Sequence, residues 1–184
     1  EQAASYRFLH DRAFAIYRTK NMWFSLPVII ISTLTGTANF AQGSFPESWK
    51  DFVPLGIGAM NLLAGMITTV AQFLRVAENM EGHRAASISF GKLSRNITVE
   101  LSLPPEERSC GGLEYINQCR AEMDRLLEQS PNLPLKLVKA FGSKFKKSNF
   151  MKPDILEINE LEVFKIKKDL VAEKRALEER AAAE

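Results

Sequence analysis

Two long stretches of the chain carry no charge. Asn21 through Pro46 is 26 residues without Asp, Glu, Lys or Arg, and Phe52 through Leu74 is another 23. A bilayer hydrocarbon core needs about 20 predominantly apolar residues in helical form, so either stretch could cross it. The run Leu26-Pro27-Val28-Ile29-Ile30-Ile31 shows no amphipathic period, and a helix apolar all round belongs inside a protein or inside lipid. A soluble core would need the rest of the 184-residue chain to cover two such helices, and the flanks are short and strongly charged. The expected unit is therefore a transmembrane helical hairpin over 23–74, with spans at about 23–42 and 53–74.

The totals conceal this. A hydrophobic content of 46% and a net charge of +2 describe an average soluble domain, as does a mean hydropathy of −0.12. With 24 Lys+Arg against 22 Asp+Glu there is no whole-molecule electrostatic case for nucleic acid. Two cysteines exclude a disulfide scaffold and a four-cysteine zinc site. Two histidines and two cysteines far apart in sequence speak against a metalloenzyme.

The link from Gly43 to Asp51 suits a tight antiparallel turn, and Trp23 and Trp49 lie near opposite ends of the first span, where aromatic belts are enriched. The link carries Glu47, Lys50 and Asp51, while Arg7, Arg12, Arg18 and Lys20 precede the hairpin and Arg75, Arg84, Lys92 and Arg95 follow it. The positive-inside rule puts both termini on the cytoplasm-equivalent side. The segment before the first span is too long for a signal peptide's charged region, and a second span follows. The chain begins at Glu1, not Met, and is expected to be a processed part of something longer.

Within the spans, Ser32 and Gly36 are one turn apart, and Gly58 and Gly65 flank Asn61. Small residues allow close helix approach where lipid supplies no hydrophobic drive. The Gly36 face is expected to meet the Gly58/Asn61/Gly65 face. Asn61 either bonds across the pair, or to an oligomer partner, or lines a pore. Neither span carries a charge, against a proton-coupled transporter or voltage sensor.

The flanks read as helices. Tyr6, Leu9, Ala13, Ile16 and Tyr17 give an amphipathic N-terminal helix within 1–22. Beyond Leu74 the helical pattern runs on through Ala77, Met80, Ala85, Ile88, Leu93, Ile97 and Leu101 until Pro104-Pro105. The second span should thus continue as one long helix, pairing with the first helix in a cytoplasm-facing body over 75–150. Leu113, Ile116, Arg120, Met123 and Leu127 mark another helix ending near Ser130-Pro131, and Leu133 to Phe141 a shorter one with Gly142 as C-cap. No strand signal competes, so the fold should be all-α, with a membrane-proximal helical body.

Between Glu128 and Asp154 the chain has no acidic residue but six lysines: Lys136, Lys139, Lys144, Lys146, Lys147 and Lys152, interleaved with Phe141, Phe145 and Phe150. Such a patch suits anionic headgroups, with the rings inserting at the interface. The alternatives are a solvated turn, an acidic protein partner or, less favoured, nucleic acid. The segment 151–184 reads as a long helix with one apolar line, Leu156, Val163, Leu170 and Leu177. The alternate line (Asn159, Ile166, Glu173, Arg180) is poor, so a weak coil or a partner-docking helix is expected.

His10 and His83 each flank a span on the same side, where a pair could sense pH or bind metal; solvated or hydrogen-bonded helix histidines are the commoner case. Cys110 and Cys119 are expected as reduced thiols. There is no phosphate loop, nucleophile elbow or metal-ligand spacing, so neither an enzyme nor a cofactor is expected.

The run Leu26-Pro27 through Ser32-Thr33-Leu34-Thr35-Gly36-Thr37-Ala38 resumes at Asn61-Leu62-Leu63-Ala64-Gly65-Met66-Ile67-Thr68 and Gln72-Phe73-Leu74. With Leu9-His10, Glu78 and His83, Asp124-Arg125-Leu126, and Ser130-Pro131 with Leu133-Pro134, it resembles the SLATT-type two-transmembrane proteins, nearest to the version in large double-stranded DNA viruses of algae and protists. The likeness covers about residues 5 to 140. It implies two different functions. One is a minor virion component tying an internal membrane to the capsid through the C-terminal helix, which is the favoured one. The other is a pore-forming membrane effector, which would act as a homo-oligomer.

Overall fold

The structure is a computed structural model describing residues 1–145 together with 153 and 155. It is all-helical among the described residues: α1 (Gln2–Phe40), α2 (Phe52–Phe73), α3 (Val76–Ser102), α4 (Gly112–Gln129) and α5 (Leu135–Lys144), with short 3-10 turns at Gln42–Ser44, Glu47–Trp49 and Pro105–Glu107. The expected C-terminal helix over 151–184 lies outside the described residues.

α1 is 39 residues without a break, about 58 Å at 1.5 Å per residue. The expected division at residue 22 is not a structural boundary. Pro27 lies inside α1 and removes one backbone donor without ending the helix. The lower half of α1 buries Ala3, Tyr6, His10 and Ala13. Steps of three, four and three residues repeat the seam of an antiparallel helix pair. The matching seam on α3 is Val76, His83, Ala86, Phe90 and Leu93. Phe90 and Leu9 are fully buried, and Leu126 of α4 closes the cluster, with Ile97, Cys119, Met123 and Leu133 packed around it.

The upper half is different. Two helices are long and apolar enough to cross a membrane, and only 6% and 11% of their most apolar windows are buried. Trp23, Ile29, Leu34, Phe52, Leu55, Leu62 and Phe73 all face outward. Among the described residues the flanks do not cover these helices, which are exposed along most of their apolar length. The threonines bond back to their own helices, Thr33 to the Ile29 carbonyl at 2.8 Å and Thr68 to the Ala64 carbonyl at 2.9 Å, leaving few hydroxyls unsatisfied on an apolar surface.

Four expectations need correction. The second apolar helix does not run on: α2 ends at Phe73, and Arg75 takes a left-handed conformation (φ 47°, ψ 41°) before α3 starts. The buried face of α3 does not include Ala77, Ala85, Ile88 or Leu101, all exposed, because His83 and Ala86 occupy the seam instead. On α4, Leu113, Ile116 and Leu127 are exposed, and Leu126 is the buried contact. Gly142 does not cap α5, which continues to Lys144.

α3 also meets the turn after α4. A Cβ built on Gly82 would lie 2.6 Å from Cγ of Pro131, so only glycine allows this approach. Gly82→Ala gains helix propensity of up to about 1 kcal/mol but overpacks against a stiff ring at about 1–3 kcal/mol. The expected outcome is a net loss of about 1 kcal/mol, read as a lower thermal midpoint of the detergent-solubilised chain.

Candidate functional site

The first candidate is the centre of the α1–α3 seam. Both histidines sit there: His10 is 1% exposed and His83 is fully buried. Their Nδ1 atoms are 2.9 Å apart. One ring must donate its Nδ1 proton to the lone pair of the other. Rings stack on either side in an alternating column. Tyr6 lies 5.3 Å from Phe90, Phe90 5.5 Å from His10, His10 5.2 Å from His83, and His83 5.2 Å from Tyr17. Each step crosses from one helix to the other.

Burial holds both rings neutral. His10 is pulled down to about 4, first by burial and then by the neighbouring His83, and His83 is lowered by burial. Nε2 of His83 has no hydrogen-bond partner among the described residues, so one ring atom at the heart of the body is left unsatisfied. No group of three or more His, Cys, Asp or Glu that could hold a metal forms among the described residues. The arrangement can therefore accept a proton, at a cost in packing, but it lacks the ligand count of a protein metal centre.

The spacing Ala3-Tyr6-His10-Ala13-Tyr17 was visible in the chain. It reads as a seam only if histidine is counted as a core residue, which apolar periodicity does not do.

The second candidate is the contact between α1 and α2. Thr35 Oγ1 donates to Asn61 Oδ1 at 2.8 Å and also lies 2.9 Å from the Ile31 carbonyl. The buried residues of this pair are Thr35, Ile57 and Ala64. Asn61 thus makes a cross-pair bond, but the glycines do not join it. A Cβ on Gly36, Gly58 or Gly65 would meet nothing within 4 Å. The face of α2 that meets α1 is shifted one position, about 100° around the helix, from the expected glycine stripe. Thr35, not Gly36, is the residue that α1 presents.

The lysine patch is only partly described: Lys136, Lys139 and Lys144 are exposed on α5, and Lys146, Lys147 and Lys152 lie outside the described residues. Of the interleaved aromatic residues, Phe141 and Phe145 pack on α1 and Phe150 lies outside the described residues. Phe141 is buried, packing 5.7 Å from Phe8 of α1, and Phe145 lies edge-on to Phe8 at 5.9 Å. Lys144 stands over both Phe8 and Phe145. Phe8 is about 22 Å along α1 from Trp23, the first residue of the apolar segment. The docking line Leu156, Val163, Leu170 and Leu177 lies outside the described residues. Cys110 and Cys119 are unbridged, and Cys119 packs on the core.

No family model, curated protein or solved structure matches the chain.

The histidine pair has a sign that can be checked. In the unfolded chain a histidine takes a proton near pH 6.5, and in the fold His10 does so only near 4. Stability is therefore full above about pH 6.5 and falls as pH drops toward 4, because the unfolded state binds more protons there. Thermal midpoints of the detergent-solubilised chain across pH 8 to 4 should show this decline. His10→Leu alone should cost about 1–3 kcal/mol by leaving a ring nitrogen of His83 buried and unpaired. Adding His83→Leu should recover much of that loss and flatten the decline. Equal and additive losses would show that the two rings do not act as a pair.

Proposed function

We propose that the chain is an integral membrane anchor that holds a rigid helical body clear of the bilayer for docking to a structural partner. The observation that carries this reading is the continuity of α1. One unbroken helix supplies both an outward-facing apolar segment and the seam of the body. A load placed on the body is therefore passed to the anchor without a hinge. The loop residues Glu47 and Lys50 pair with one another at the end opposite the basic flanks. This is consistent with both termini lying on the cytoplasm-equivalent side.

The exposed Lys136 and Lys139 lie on α5, which packs at the level of Phe8, far along α1 from the apolar segment. With α1 upright in the membrane they face a partner, not the headgroups. An acidic face on a second protein suits them better than lipid or nucleic acid. In the setting that the resemblance implies, that partner is the capsid shell of a large DNA virus and the membrane is its internal one. The chain is then a minor virion protein, with residues 151–184 as further docking surface.

A second reading is favoured by one observation. Gly36, Gly58 and Gly65 are open, and part of Asn61 is exposed although its Oδ1 accepts from Thr35. These are surfaces on which further copies could meet, as a pore-forming effector requires.

Purified virus particles should contain the chain at fixed stoichiometry, held through high-salt washing and released by detergent. Its absence from particles would sink the virion role. For the second reading, liposomes carrying the chain at high density should leak ions, and Asn61→Leu should change the conductance; tight liposomes would leave the anchor alone.

A further inference from the structure

The break between α2 and α3 opens a crevice of about 590 Å³ where α1, the end of α2 and the start of α3 diverge. That volume is within the range of small-ligand sites and far above a packing void. Its wall toward the hairpin is mostly apolar, with Phe24, Val28, Ile29 and Ala71 beside Ser25 and Thr68, whose hydroxyl is turned back to the Ala64 carbonyl. Its rim toward the body is polar, with Asn21, Gln72, Arg75 and Glu78. Along α1 the lining runs from Asn21 to Ile29, about 12 Å, from the charged flank into the apolar segment. In a membrane this is the depth at which a phospholipid passes from headgroup to acyl chain.

Two features of the rim are specific. Arg75 is the one non-glycine residue with positive φ among the described residues. Such a conformation is uncommon and costly for a residue with a side chain, and glycine would fill the position at no steric cost. Here the position carries a guanidinium. Its partner is Glu78 at 3.6 Å, with both side chains about 70% exposed, and an exposed pair of this kind contributes little. The rim thus presents one cation and one anion side by side, neither committed strongly to the other.

We propose that the crevice binds a phospholipid whose headgroup carries a phosphate and a primary ammonium, with the phosphate on Arg75, the ammonium on Glu78 and the upper acyl chain against Phe24, Val28 and Ala71. This rests on the membrane-anchor reading. A phosphatidylethanolamine headgroup has both charges in hydrogen-bonding form. Phosphatidylglycerol offers no cation to Glu78. The quaternary ammonium of phosphatidylcholine has no N–H to donate to the carboxylate.

Trp23 is exposed and outside the lining, so the reporter is placed in the crevice by Phe24→Trp in a chain carrying Trp23→Phe and Trp49→Phe, which leaves a single tryptophan. That full chain is reconstituted in phosphatidylcholine vesicles carrying equal fractions of acyl-chain-brominated phosphatidylethanolamine, phosphatidylglycerol or phosphatidylcholine. Brominated phosphatidylethanolamine should occupy the quenching site about threefold to fivefold more than either of the others, as expected for two weak charge contacts near a membrane surface. Arg75→Gly keeps the backbone geometry and should abolish the preference, and Arg75→Lys should retain most of it. Glu78→Gln should bring phosphatidylethanolamine down to the level of phosphatidylglycerol. Ala71→Phe should exclude all three by filling the crevice, with helicity checked by circular dichroism. Equal quenching by the three lipids, or a preference that survives Arg75→Gly, would overturn the site while leaving the anchor in place. Failure of the chain to float with vesicles of any composition would overturn the anchor reading, and the site with it.

Discussion

The column of rings between α1 and α3 holds the body in register, and the rest of the structure follows from it. Tyr6, Phe90, His10, His83 and Tyr17 alternate between the helices, with the histidine hydrogen bond at the middle. Aromatic contact is tolerant of small shifts, but the Nδ1–Nδ1 bond is not. Sliding α3 by one turn would leave two ring nitrogens buried and unpaired, each costing on the order of 1–3 kcal/mol. A polar residue in an otherwise apolar seam trades stability for register. Here the trade includes an unpaired His83 Nε2.

That seam also accounts for the break at Arg75. On α1 the contact positions stay on one face: half-buried Tyr17 and buried Thr35 are 18 residues apart, five full turns at 3.6 residues per turn. α1 can therefore remain one helix while it serves two partners. α2 and α3 cannot. At 100° per residue, the face of Ile57, Asn61 and Ala64 and the face of Val76, His83, Phe90 and Leu93 would point roughly 55° apart on a continuous helix. A single left-handed residue at Arg75 absorbs that difference and lets both faces meet α1.

The all-helical fold and the two apolar helices were legible because they rest on lengths and on missing charge, signals that survive any error in phase. The finer misreadings were errors of phase. Leu113, Ile116 and Leu127 looked like one face of α4 because they recur with Met123 at helical spacing, yet the helix turns Leu126 inward and leaves those three exposed. The glycine stripe was one residue away from the true contact at Thr35 and Ala64. Arg75 gave no warning, since a break written with neither glycine nor proline has no local signature. The histidines read as residues flanking the spans on one side, solvated or hydrogen-bonded, and their burial in the seam was not legible because a periodicity count has no place for a buried polar residue.

In the membrane setting proposed for this chain, the seam does more than build the body. Lipid gives α1 and α2 no hydrophobic reason to pair, and the hairpin offers little else: one Thr35–Asn61 bond, a short buried strip and glycines that touch nothing. The body supplies what the hairpin lacks. α1 enters the seam without a break, and α2 is joined to α3 through Leu74 and Arg75 alone, so closing the seam in water holds the spans side by side in lipid. The coupling runs both ways. A proton forced onto His10 or His83 loosens the clamp below, and the spans then keep only their weak contact above. The crevice at Arg75, where clamp and spans meet, is the place where a bound molecule would feel that change first.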